Sequence, residues 1–438
     1  MTKLTIADHH EHIETIFVQA LRTVDPYKLV HKALHAPGSK LPIDGLPLER
    51  NTHSSLYLIA LGKAAARMTQ SVLDLPEFQP AAGVIAVPSS DRTILPSPMM
   101  VFHAGHPHPT QASIDAGQAA KSMLTRCTPD DLVLVLISGG GSALFELPEG
   151  DLDLEDLHTL NEILLHSGLP IQEMNIIRSA ISQTKGGGLA RLAAPARVVS
   201  LILSDVVGNP LASIASGPTV LGPDRRSDAR QLLKETDLWL DVPAGIRSAL
   251  NLVGSARPKA RRPVNILLGG NSEMIDGAVA AAKTLGFQPE VLSRQLHGEA
   301  LQAGRRFARR LSKRATDVEV PACFIMGGET TVTVTGNGKG GRNQEFALSA
   351  AFEIKEQERI VLASIASDGT DGPTDAAGAI VNSDTIARIE AHGINPTYAL
   401  AQNNAYVALK AGEALYKTGP TGTNVADLAL GLIYPRYR

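Results

Sequence analysis

The sequence predicts an α/β protein built as two successive domains, and three observations carry that reading. Short apolar runs of strand length end in Gly, Ser or Asp and alternate with longer segments of helical periodicity, the pattern of a parallel sheet covered by helices. The length of 438 residues suits two or three domains, at roughly 100 to 200 residues each. A composition of 44% hydrophobic and 19% charged residues lies in the ordinary globular range and excludes a disordered or collagen-like chain.

Charge and cysteine usage narrow the function classes. With 41 Lys+Arg against 44 Asp+Glu the formal net charge is -3, which offers no electrostatic footprint for nucleic acid or an anionic membrane. A small polar substrate is the expected partner. Cys127 and Cys323 are far apart in sequence, which argues against a disulfide framework and a cysteine-based zinc site and makes a reducing, cytoplasmic location the default. The N-terminal segment carries Asp8, His9, His10, Glu11 and Glu14, so it lacks the apolar core of a secretory signal. No run approaches the roughly 20 apolar residues of a membrane span.

Taken in order, residues 6–35 set Ile13, Ile16, Phe17, Ala20 and Leu21 at helical spacing and are broken by Pro37, Gly38 and Pro42. One or two helices and a loop are expected there. Strands follow at 56–61, 83–87, 132–137 and 198–203, each an apolar run short enough for a buried strand. Residues 225–262 hold Pro243, Gly245, Gly254 and Pro258 among basic residues without a strong strand. A second series of strands is expected at 264–268, 289–292, 322–326, 330–335 and 360–365, which places the domain boundary near residue 260. Arg305, Arg306, Arg309, Arg310, Lys313 and Arg314 read as a solvated helix face, because Phe307 is the only aromatic residue among them.

Four segments carry chemistry. The strand 56–61 ends at Gly62 and puts Lys63 at the start of an Ala-rich helix. A cation there opposes the helix dipole, so Lys63 is either a surface lysine or an anion-binding group at a strand's C-terminal end. The strand 132–137 runs into Ser138, Gly139, Gly140, Gly141 and Ser142, whose N–H groups and hydroxyls can cradle a phosphate or carboxylate, though no P-loop signature closes the segment. In residues 175–190, Asn175, Arg178 and Ser182 recur on one helical face before Lys185 and a second triple glycine. Asp205 follows the strand 198–203, where a carboxylate either caps a turn or holds Mg²⁺ together with substrate phosphates.

The fourth segment lies in the second half, with Glu329, the Gly-rich loop 336–341, Arg342, Asn343 and the acidic turn containing Asp368 and Asp371. Gly336, Gly338 and Gly341 match the dinucleotide fingerprint spacing, a weak signal by itself. The alternating Thr and Val of 331–335 suit a half-exposed strand, and Glu345 in the first helical turn would repel a pyrophosphate. Arg342 reads as a guanidinium placed to clamp a carboxylate or phosphoryl group, or as a solvated side chain beside a loop. His106 and His108 alternate with prolines and lack an adjacent metal-ligand pattern. The turn-rich segment 418–424 is expected to precede a last helix.

Together these segments resemble the glycerate 2-kinase family with a MOFRL C-terminal domain, some members of which carry the name hydroxypyruvate reductase. The resemblance runs from about Phe17 to Leu432 and rests on residues 61–64, Gly105-His106-Pro107, 138–142, 175–190, 204–210, 216–219, 327–329, 340–345, 367–372 and 423–425. It implies a Rossmann-like N-terminal domain with a parallel sheet (1–260), a smaller α/β MOFRL-type domain (261–438) and an active site in the cleft between them. The implied activity is ATP- and Mg²⁺-dependent phosphorylation of D-glycerate at the 2-hydroxyl, giving 2-phosphoglycerate. The family's catalytic lysine and arginine correspond to Lys63 and Arg342. With the residue reading, this assigns Ser138, Gly139, Gly140, Gly141, Ser142 and Lys185 to ATP phosphates. Asp205 is assigned to the metal or the reacting hydroxyl, and Arg178, Asn343, Asp368 and Asn424 to substrate. Domain closure is expected, and a homodimer is left open. The rivals are an NAD(P)H-dependent hydroxypyruvate reductase and a non-catalytic sugar-acid-binding protein.

Overall fold

The computed structural model describes residues 6–35, 54–252 and 260–436. The expected break at Pro37, Gly38 and Pro42, together with Gly254 and Pro258, lies outside the described residues. The chain forms two compact units, each around its own six-stranded sheet.

The first unit comprises Pro26–Ser204 and Asn209–Leu268. Its sheet holds β1 (Leu56–Leu61), β2 (Ala82–Pro88), β3 (Met99–Ala104), β4 (Leu132–Ile137), β5 (Arg197–Leu203) and β6 (Val264–Gly269) in the order β3-β2-β1-β4-β5-β6. Neighbours from β3 through β5 run parallel, with Leu61 opposite both Ala86 and Ile137. β1 and β4 are nearly all apolar and buried, as strands covered on both faces must be. Because the order reverses at β1, the crevice between β1 and β4 is the topological switch point where such sheets bind ligands. The helices are α2 (Pro26–His35), α3 (Ala65–Leu73), α4 (Gln111–Leu124), the single turn α5 (Gly141–Leu144), α6 (Leu154–His166), α7 (Ile171–Ala180), α8 (Gly188–Leu192), α9 (Arg226–Glu235) and α10 (Ala244–Asn251). The helices α6, α7, α9 and α10 share a second core that includes Leu157, Leu160, Ile177, Leu233 and Ile246.

The second unit comprises Met1–Asp25, Asp205–Gly208 and Gly269–Arg438. Its sheet holds β7 (Gln288–Leu296), β8 (Ala322–Gly328), β9 (Ile360–Ala366), β10 (Gly378–Val381), β11 (Leu415–Tyr416) and β12 (Asp427–Ile433) in the order β11-β10-β9-β12-β8-β7. Only β7 and β8 pair in parallel. Around it lie α1 (Ile6–Thr23), α11 (Asn271–Thr284), α12 (Ala300–Arg314) and α13 (Arg342–Ile354). On α12, Arg309 pairs with Glu353 and Arg314 with Glu290, while Phe307 is buried, so the basic cluster is a solvated face.

Three expectations are corrected. The strand at 264–268 borders the first sheet rather than opening the second series. The segment 330–335 makes one isolated bridge from Thr331 to Glu299 instead of a strand. Side chains replace the ladder there: Glu299 accepts from Thr333 N and both threonine hydroxyls, and Asn403 accepts from the N–H groups of Thr335 and Gly336. The helix expected after 418–424 is β12, which lies between β8 and β9 with every residue buried.

Candidate functional site

In the first unit, the ends of β1 and β4 are tied into one surface. Gly62 has φ +115°, and a Cβ there would lie 2.3 Å from Ser138 Oγ, so only glycine lets the two loops meet. Lys63 N donates to Gly139 O at 2.9 Å, and Ala64 N donates to Ser138 Oγ at 3.0 Å. Ser138 is fully buried by this arrangement, so its hydroxyl holds the loops together rather than facing an anion. Gly141 is buried as well, leaving Gly140 and Ser142 as the accessible part of the loop. Among the described residues, the N–H groups of Gly139 and Gly140 have no acceptor. Gly140, at φ +81°, lies under Lys63 and His106: a Cβ there would be 3.5 Å from Lys63 Cγ and 2.9 Å from His106 Cδ2.

Beside this loop is a cavity of about 450 Å³ lined in part by Gly140, Ser142, His106, Glu146, Arg178 and Lys185. Leu157, Leu160, Leu165 and Ile181 form an apolar wall. The structure thus brings together four of the expected residues: Gly140, Ser142, Lys185 and Arg178. Lys185 is buried and paired with Glu146, whose carboxylate also accepts from Ser182 Oγ and from Leu147 N at 2.9 Å. Glu146 is a residue that sequence reasoning missed, since a lone Glu between Phe145 and Leu147 carries no motif. Ser182 lies beyond the end of α7, so it does not continue the stripe of Asn175 and Arg178. Arg178 Nε donates to Asn161 Oδ1 at 2.9 Å, and burial lowers the guanidinium pKa from its ordinary value. The second triple glycine packs loops together: Gly186 N and Gly187 N donate to Ser216 O and Gly217 O.

In the second unit, Arg342 opens α13. Its Nε and Nη2 donate to Asp427 at 2.6 and 2.9 Å, and Nη1 meets Glu329 at 3.0 Å. Burial alone would lower the Arg342 pKa, but the charges of Asp427 and Glu329 outweigh it and raise it. Asp371 caps the same helix, accepting from Asn343 N at 3.1 Å and Gln344 N at 2.9 Å. A Cβ on Gly341 would sit 2.3 Å from Asp371 Cγ, which explains that glycine. Asn343 is buried, with its amide N bonded to Asp371 and its oxygen to Ser364, so it is committed inside the unit rather than offered to substrate. Asn424 Nδ2 donates to Asp205 Oδ2 at 3.1 Å, bringing two expected residues together. Asp368 is half-buried and accepts from Thr370 N at 3.0 Å.

Among the described residues no group of three or more His, Cys, Asp or Glu is arranged to hold a metal ion. Asp205 is partly exposed and bonded through Oδ2 to Asn424, and a single carboxylate of this kind is within the one or two that Mg²⁺ commonly takes beside phosphates and water. The glycine spacing at 336–341 has a packing cause. A Cβ on Gly336 or Gly338 would strike the backbone of Gln402 at 2.5 or 2.4 Å, and no strand precedes the loop. The dinucleotide fingerprint is therefore absent in structural terms.

Comparison with known proteins finds two family matches along the chain. The family described as domain of unknown function DUF4147 matches residues 12–251, and the MOFRL family matches residues 322–427. A glycerate 2-kinase from Pyrococcus horikoshii is 39% identical over 95% of both chains. A D-glycerate 2-kinase from Thermotoga maritima is 40% identical over 86% of this chain and 90% of its own. A putative hydroxypyruvate reductase from Agrobacterium vitis is 38% identical over 86% of this chain and 98% of its own. The crystal structure of the Thermotoga maritima glycerate kinase superposes with a TM-score of 0.83, at 36% identity over 97% of this chain and 99% of its own. Two family matches on the same chain and near-complete coverage of glycerate kinases at this identity mean that the chain belongs to the DUF4147/MOFRL family of glycerate kinases.

Proposed function

We propose that this chain is a glycerate 2-kinase, transferring the γ-phosphoryl group of ATP to the 2-hydroxyl of D-glycerate. The observation that carries the reading is the 39–40% identity to two glycerate 2-kinases over most of each chain. The geometry supports it with an anion loop at the sheet's switch point, made of Gly139 N, Gly140 N and Ser142 under Lys63.

Phosphoryl transfer asks the protein mainly for positioning and for cancellation of charge on the phosphoryl oxygens. Lys63 would supply a positive charge over the glycine loop, and Arg342 is proposed as a planar guanidinium for the phosphoryl oxygens. Asp427 and Glu329 keep that guanidinium ionised and fixed in orientation. Asp205, oriented by Asn424, would hold the Mg²⁺, which supplies charge neutralisation on the phosphate oxygens when bound.

The reductase reading is favoured by the name of the Agrobacterium vitis relative and opposed by the packing cause of the glycine spacing. Incubation with ATP, Mg²⁺ and D-glycerate should give 2-phosphoglycerate, while NADH with hydroxypyruvate should stay unoxidised. NADH oxidation without phosphoryl transfer would reverse the assignment.

A further inference from the structure

The charges around the cavity of the first unit do not cancel. Lys185 and Glu146 neutralise each other at its wall, both buried. Arg178 is left with Asn161 as its hydrogen-bond partner, a neutral amide that uses one of its five N–H groups. Among the described residues no carboxylate pairs with Arg178 and both of its Nη groups lack acceptors. The cation stands on α7 beside an apolar wall of Leu157, Leu160 and Ile181, where a charge is costly to leave unpaired and an ion pair is correspondingly strong. A half-buried guanidinium pinned through Nε, with its Nη groups open, matches a carboxylate presented edge-on.

We propose that Arg178, held by Asn161, receives the carboxylate of the acceptor acid and thereby decides which hydroxyl is phosphorylated. This rests on the glycerate kinase reading. In a 2-hydroxy acid the reacting oxygen is attached to the carbon next to the carboxylate, whereas the 3-hydroxyl is one carbon farther and free to rotate. Fixing the carboxylate in the cavity that Gly140 and Ser142 also line therefore fixes the 2-hydroxyl relative to the phosphate loop. The nucleotide is assigned no contact with Arg178.

The test pairs an enzyme change with a substrate change. Wild type should use D-glycerate far better than its neutral carboxamide, by about 100-fold in kcat/KM. Arg178→Gln should raise KM for D-glycerate by a similar factor, leave KM for ATP within about twofold, and bring acid and amide to near equality. It should also release 3-phosphoglycerate alongside 2-phosphoglycerate, which a merely structural defect would not do. Asn161→Ala keeps the guanidinium but frees its orientation, and should raise KM for D-glycerate by about tenfold; it decides the matter if Arg178→Gln fails to fold. A raised KM for ATP with unchanged preference for the acid would overturn the proposal, as would no change in either. Calorimetry of D-glycerate binding to wild type and Arg178→Gln separates the two readings. Binding that depends on Arg178 without turnover would sink the kinase assignment, and with it the choice of hydroxyl, and keep only the carboxylate site at Arg178; absence of D-glycerate binding by wild type would end both.

Discussion

Lys63 and Arg342 differ in what their removal would disturb, and that difference makes them separable. Lys63 is half-buried, and its backbone N–H, which Lys63→Ala keeps, ties the β1 and β4 loops together. Lys63→Ala should therefore lower kcat by about 100-fold or more while moving stability by less than about 1 kcal/mol, as checked by steady-state kinetics beside urea unfolding. Arg342→Ala instead leaves Asp427, only 2% exposed, without its counter-charge, at a cost of about 3–5 kcal/mol. The double variant Arg342→Ala/Asp427→Asn should recover much of that stability and none of the activity. Recovery of turnover would show that Arg342 acts only through the fold. At this scale Gly140, Ser142 and Arg178, which line one cavity, had drawn notice in the sequence because a glycine run and a cation on a polar helical stripe are chemical signals in themselves. The partners of Asn343 and the part played by Glu146 were out of the sequence's reach for a common reason. A buried side chain's partner, such as Asp371 for Asn343 or Lys185 for Glu146, is distant in sequence and announces itself by no spacing.

The helix α13 depends on a carboxylate from a remote turn. Asp371 is fully buried, and burial raises its pKa from the usual 3.8 to about 6. The N–H groups of Asn343 and Gln344 and the charge of Arg342 oppose that rise, while Asp427 adds to it. The folded chain thus binds this proton more tightly than the unfolded one. The contribution to stability is fully present below pH 3.8 and is lost as pH rises through about 6. Its size is on the order of 3 kcal/mol, at roughly 1.4 kcal/mol per unit. Asp371→Asn should abolish this component, so the stability difference between wild type and variant should change between about pH 4 and 6 and be flat above 7; urea unfolding across that range reads it directly. A constant difference would refute the assignment. Among the elements, the strands β1, β4 and β5 were legible as short apolar runs, and the helices of residues 6–35 from their periodicity. β12 was not, since a run of Asp-Leu-Ala-Leu-Gly-Leu-Ile buried on both faces has no alternation to separate it from a helix. The segment 330–335 shows the converse, an alternating pattern whose backbone is satisfied by Glu299 and Asn403 instead of a neighbouring strand.

The two units are not consecutive in the chain, and no property of the linear sequence would have revealed it. A cut near residue 260 follows the change in composition, yet α1 belongs with the second sheet. Its residues Ile13, Ile16, Phe17 and Ala20 are wholly buried, Phe17 meets Tyr416 edge-on at 5.9 Å, and Thr23 Oγ1 donates to Glu273 O at 3.0 Å. A fragment starting at residue 269 should therefore lack a cooperative thermal transition. The same fragment joined after residue 25 by a short flexible linker should regain one, because Thr23 already lies beside the start of α11. Equal behaviour of the two fragments would show that α1 is dispensable to the second unit.

The early placement of α1 also has a consequence in time. Thr23 and Glu273 are separated by 250 positions, so at about 5–20 residues per second the ribosome needs roughly 12 to 50 s to deliver the partner after the helix. For that interval the nascent chain carries an apolar stripe whose covering surface has not been made. The first unit can close around its sheet meanwhile, whereas the N-terminal helix must be kept from mispairing until the last third of the protein emerges.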